Sequence, residues 1–175
     1  MPREVAFSLR FPISMIRELA TQYSYNDDRG VAAAGQRARE SGFYSPRDFL
    51  LVCGWKTNNR SLPLANRNSS DTIVEATRRA LATDDPADAI QALVTLSGVG
   101  FPVASMLLHL ASERYPVLDF RALWSVGLDS VPRSFSFRFW RAYVQFCRTI
   151  AAEAGIEMRE LDRALWEYSK QHQPG

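Results

Sequence analysis

Lysine is nearly absent from this chain: Lys56 and Lys170 are the only two, although Lys and Arg together number 21. Any chemistry that needs a primary amine is therefore confined to Lys56, Lys170 and the N-terminus. Cysteine is also scarce, with Cys53 and Cys147 far apart and lacking the paired spacing of zinc or iron–sulfur ligands. No metal and no cofactor are expected, and both cysteines, each inside a helical pattern, read as buried free thiols of a reducing compartment. Long apolar runs are missing too. The N-terminal MPREVAFSLRFPISMIREL is broken by Arg3, Glu4, Arg10, Arg17 and Glu18, and no stretch reaches the roughly 18 apolar residues of a membrane span. No membrane partner and a cytoplasmic location are the expectation. Sustained alternation of apolar and polar residues, internal repeats, low-complexity tracts and flexible linkers are likewise missing, which excludes strand-rich and repeat architectures.

What remains is helical periodicity over 175 residues, enough for one sizeable core or two small lobes. The fold class is all-α. A first helix follows Pro12 with Ile13, Ile16, Leu19 and Ala20 on one face, and the polar Ser24–Gly30 stretch ends it. An alanine-rich helix spans about Val31 to Glu40, closed by Ser41-Gly42. Ser45, Pro46 and Asp48 open a third as N-cap, first helical residue and third. Trp55 to Asn68, with Pro63 and four asparagines, reads as a loop. Ser69 or Ser70 caps the next helix. Asp84-Asp85-Pro86 opens one ending at Leu96, and further helices run from Asp119 to Gly127, Ser136 to Ala154 and Met158 to Lys170. The net charge is only +2, yet its positive side is almost all arginine. Arginine suits phosphate and base contacts, and a G- and C-rich genome gives the same bias.

Leu96 to Leu123, LSGVGFPVASMLLHLASERYPVLDFRAL, carries the strongest local signal. Gly98 and Gly100 flank Val99, so the backbone can turn sharply while Val99 anchors inward. Pro102 stands in the first turn of the following helix. Amides around the glycines and the positive end of that helix make an anion site without a basic side chain. A tight helix–helix turn uses the same residues, and both readings stand on the glycine pair alone. Asp119, just before a short helix, is likewise either a cap or a reactive carboxylate.

The order of these features resembles the helix-hairpin-helix DNA glycosylases: a Leu-Pro-Gly-Val-Gly hairpin, an apolar helix, a Pro-containing loop and an essential aspartate. The resemblance implies a two-lobed helical fold with a cleft between lobes, residues 45–118 forming the hairpin-bearing lobe and 1–44 with 119–175 the second. It implies that Gly98, Val99 and Gly100 grip DNA phosphate and that Asp119 is catalytic. Ser97 replaces the hairpin proline. Pro102 and Gln91 stand where two lyase-type branches carry lysine, and no iron–sulfur cysteine set follows. The Trp55-Lys56-Thr57-Asn58-Asn59-Arg60 stretch falls where relatives place a DNA-filling or base-contacting segment, making Trp55, Lys56, Asn58 and Arg60 candidates.

The function so implied is a monofunctional DNA glycosylase, a hydrolase of the N-glycosidic bond of a damaged or modified base, acting in repair or in defence against modified phage DNA. Its partner is double-stranded DNA with the target base flipped out, and it acts as a monomer. Arg121 is a phosphate contact or an ion-pair member. Trp124 follows Trp55 among the stacking candidates; Tyr115 and Phe120 are near in sequence, and Trp140 is within reach. The alternative is a non-catalytic helix-hairpin-helix module that only grips DNA.

Overall fold

The computed structural model describes residues 4–25 and 27–175. Among them every regular element is helical: a 3-10 turn at Ile13–Met15 and then α1 Ile16–Thr21, α2 Arg29–Ser41, α3 Pro46–Thr57, α4 Leu62–Ala65, α5 Ser70–Ala82, α6 Pro86–Val94, α7 Phe101–Ala111, α8 Phe120–Ser125, α9 Phe137–Ala154 and α10 Met158–His172.

Five helix starts are set by a short polar side chain that accepts an amide which the first turn leaves unpartnered. Ser45 accepts from Asp48 N at 3.1 Å, Ser69 from Thr72 N at 3.2 Å, Asp85 from Ala87 N at 2.8 Å, Asp119 from Ala122 N at 2.8 Å and Ser136 from Phe139 N at 3.1 Å. Each contributes about 1 kcal/mol.

The chain divides into two compact units, Asn26–Tyr115 and Met1–Tyr25 with Pro116–Gly175. The first boundary lies earlier than residue 45, where the resemblance puts it, because α2 packs on α3 and α7. The second lies just before Pro116 rather than after residue 118.

In the unit Asn26–Tyr115, α7 is the central rod, buried from Val103 to Ala111. It is apolar nearly all round, as a helix enclosed by others must be. A Cβ on Gly35 of α2 would lie 2.3 Å from the Leu110 carbonyl oxygen, so only glycine permits this approach. Tyr44, 1% exposed, donates its hydroxyl to Leu107 O at 2.6 Å and its amide to Thr77 Oγ1 at 3.0 Å.

In the other unit, α10 packs on α1, α8 and α9. Its core is Ile16, Leu19, Leu118, Leu123, Trp140, Tyr143, Leu161 and Leu165, all buried. Ser125 donates to Leu165 O and Tyr143 to Val117 O at 2.9 Å, tying α8 to α10 and the segment before α8 to α9. The N-terminal segment pairs its backbone with the end of α8, Ser8 N to Val126 O and Arg10 N to Ser125 O.

Candidate functional site

The hairpin is a tight turn between α6 and α7. Val99 N donates to Leu96 O at 3.2 Å, and Gly98 lies in the left-handed region at φ +78. With Ser97 second and Gly98 third, this is the arrangement of a type II turn, whose third position favours glycine. Gly98 is also fixed by space. A Cβ there would sit 2.7 Å from Ala65 N and 3.0 Å from Ser61 O, so the hairpin lies directly against the short helix α4. Val99 is buried as its anchor. Gly100 differs: it is exposed, extended at φ −95 and ψ −176, and caps α7. Pro102 occupies the first turn of α7, and Gln91 is exposed on α6.

The Trp55–Asn68 stretch is more ordered than a loop. α3 continues to Thr57, which places Trp55 and Lys56, both half-buried, on its last turn. Asn58 and Asn59 then adopt positive φ, 51 and 66. Asparagine tolerates this conformation better than other side chains that have a Cβ. Thr57 and Ser61 join their hydroxyls at 2.9 Å and both reach Cys53 O, leading into α4. The Trp55 indole donates to Asp27 O at 3.3 Å, and Arg60 Nε donates to Thr57 O at 3.0 Å. Asn58 is exposed and caps α3.

In the other unit, Asp119 stands at the N-cap of α8, half-buried, with Oδ1 on Ala122 N. Tyr143 lies close by. Burial first, with the charges of Cys147 and Asp119, pushes its phenol well above the ordinary range, so it remains a neutral donor to Val117 O. Arg121 extends over the rings of Phe120 and Trp166, at 5.1 and 5.2 Å. Trp124 is taken up by other groups: Arg10 lies 4.3 Å over its ring and Tyr168 stacks on it at 5.9 Å. Trp140 is fully buried on the inner face of α9, and Tyr115 is buried at the end of the other unit. Neither presents a face for stacking, as befits aromatics that belong to the core.

Sequence reasoning missed an aromatic and cationic group that follows Asp119 on the same unit. Trp166 of α10 meets the rings of Tyr25 at 5.1 Å and Tyr23 at 5.4 Å. Arg121 and Lys170 both lie over Trp166, the latter at 5.5 Å, with Lys170 Nζ on Ser24 Oγ. Phe120, 55% exposed, and Tyr25, 40% exposed, form its open rim. Trp166 sits within an ordinary amphipathic helix and Tyr25 within a polar stretch. Only tertiary packing brings them together.

Cys53 and Cys147 are buried free thiols, and burial pushes the Cys53 thiol up to about 12. No helix among the described residues is long and apolar enough to cross a membrane.

No protein-family model matches the chain, and no curated protein does. Two solved structures do. A Methanocaldococcus jannaschii 8-oxoguanine glycosylase/lyase, solved with a 15mer DNA containing 8-oxoguanine, superposes with a TM-score of 0.55 at 16% identity over 93% of this chain and 99% of that one. The 8-oxoguanine DNA glycosylase of Thermotoga maritima gives 0.54 at 19% identity over 93% and 96%. The resemblance to the helix-hairpin-helix DNA glycosylases is therefore one of fold, and it spans nearly the whole chain.

Proposed function

We propose that the chain is a DNA N-glycosylase that excises a damaged or modified base by hydrolysis and leaves an abasic site. The observation that carries this reading is the succession, within a glycosylase fold, of a Gly98-Val99-Gly100 hairpin at the head of α7 and a half-buried carboxylate, Asp119, at the head of α8. The hairpin amides and the N-terminal end of α7 hold a DNA phosphate. Asp119 faces the positive charge that spreads over the deoxyribose as the base departs, and it orients or deprotonates the attacking water. Double-stranded DNA is the partner, with the target nucleotide flipped out of the stack. Phe120, Tyr25 and Trp166, with cationic Arg121 beside them, supply the stacking surface on the Asp119 side. Trp55, Lys56, Asn58 and Arg60 contact DNA on the hairpin side.

Both relatives of known structure act on 8-oxoguanine by name, so oxidised purines come first on a panel that also includes alkylated, deaminated and bulky phage-type bases. The monofunctional character rests on Pro102 and Gln91, which stand at the lysine positions of lyase-type relatives. The enzyme works as a cytoplasmic monomer. The test is to incubate the protein with oligonucleotides carrying each lesion, cleave abasic sites with alkali and identify the released base by mass. No release from any of them, at concentrations where the duplex is bound, contradicts the reading.

A second reading has one observation in its favour: Asp119 accepts the Ala122 amide, so its carboxylate has a capping role whether or not it does chemistry. On that reading the chain is a non-catalytic DNA-binding module, which binds duplex and releases nothing.

A further inference from the structure

The hairpin lacks the proline of the family pattern, and the structure contains a substitute for it. At the second position of a type II turn, proline pre-sets φ and has no N–H that needs an acceptor. Here that position is Ser97, whose backbone is free to rotate and whose amide must be satisfied. Asn68, the residue just ahead of the Ser69 cap of α5, satisfies it. Its Oδ1 accepts from Ser97 N at 2.9 Å, and its Nδ2 donates to Ser97 O at 2.9 Å and to Ala65 O at 2.9 Å. Only one orientation of the amide meets all three partners, since the oxygen accepts and the nitrogen donates. One side chain thus clasps both backbone groups of Ser97. It also ties them to the α4 corner against which Gly98 is pressed.

We propose that Asn68 is a positioning residue that takes over the role of the missing hairpin proline: it fixes the Ser97–Gly98 peptide so that the hairpin amides are held ready for phosphate. This inference rests on the DNA-gripping role proposed above. Asn68 acts through the turn and touches no reacting atom.

The clasp and a proline at position 97 are alternative solutions to one problem, so their effects are not additive. Asn68→Ala is expected to weaken affinity for an undamaged duplex by about fivefold to tenfold, the loss of one or two hydrogen bonds that hold the turn. It is also expected to speed hydrogen exchange at the Val99 amide. In a Ser97→Pro background, the same Asn68→Ala change is expected to alter both readouts less than twofold, because the proline holds the turn and leaves no amide for Asn68 to accept. Equal losses in the two backgrounds overturn the proposal. If the parent protein binds no duplex at all, the DNA-gripping role fails on its own. The exchange rate of Val99 in the four proteins then decides the clasp alone, with unchanged exchange on Asn68→Ala as the contradicting result.

Discussion

Gly98 and Gly100 are one residue apart, yet they are glycines for different reasons. Gly98 is held at φ +78 with the α4 backbone where a Cβ would go, so its replacement is a matter of stability. Gly98→Ala is expected to cost about 2–3 kcal/mol, from the left-handed backbone and the displacement of Ala65, seen as a lower midpoint in urea unfolding. Gly100 has an ordinary extended backbone and open space around its Cα: a Cβ added there would meet only Pro102 Cδ, at 3.8 Å. Its absent side chain leaves room for a ligand. Gly100→Glu is expected to leave the free energy of unfolding within about 0.5 kcal/mol of the parent's while lowering affinity for any duplex at least tenfold, through bulk and like charge at the proposed phosphate grip. Equal affinity in parent and Gly100→Glu, measured by titration at fixed salt, shows the hairpin to be a packing turn. The sequence distinguishes neither glycine, because φ and the approach of α4 depend on residues some thirty positions away.

At the level of elements, the helix starts were the most legible part of the chain. Ser45, Ser69, Asp85, Asp119 and Ser136 all cap as short polar residues ahead of an apolar stripe should. The stretch from Trp55 to Asn68 was not legible as more than a loop. Four asparagines disfavour a helix interior, but two of them serve as left-handed exits from α3 and one as the clasp on Ser97. The aromatic group around Trp166 was likewise invisible as a group, since its members come from the stretch after α1, from α8 and from α10. One helix start also carries a pH signature. Asp48, the third residue of α3, is buried and takes a two-pronged bond from Arg37 at 2.8 and 2.9 Å. The Arg37 guanidinium holds its carboxyl below the ordinary range. A lowered folded-state value means that the stabilisation is fully present above the unfolded value of about 3.9 and is lost as pH falls through the folded value. Asp48→Asn is expected to destabilise the protein by about 1–2 kcal/mol at neutral pH and to flatten the loss of stability below about pH 4. A parallel acid limb in parent and variant argues against the pair as its source.

For the whole molecule, helical periodicity and the hairpin–aspartate order were enough to anticipate an all-α glycosylase fold, which the two solved structures share. The extent of each compact unit was not, because the close packing of α2 on α7 depends on Gly35, a residue with no signal of its own in an alanine-rich helix. The chain's poverty in lysine makes its product class testable. Borohydride is expected to trap no covalent protein–DNA adduct, with strand breaks appearing only after alkali or heat. Trapping that disappears in Lys56→Gln or Lys170→Gln would establish a lyase and name its amine. The central claim is that Asp119 acts on the sugar beyond capping α8, and Asp119→Asn separates the two roles. Asparagine keeps the Oδ1 that accepts from Ala122 N and loses the negative charge. The most direct measurement is single-turnover base release by parent and Asp119→Asn on the best substrate of the lesion panel, with melting temperature and duplex affinity measured alongside. The account predicts release slowed by at least about a hundredfold, with folding and binding preserved; equal release by the two proteins would contradict it.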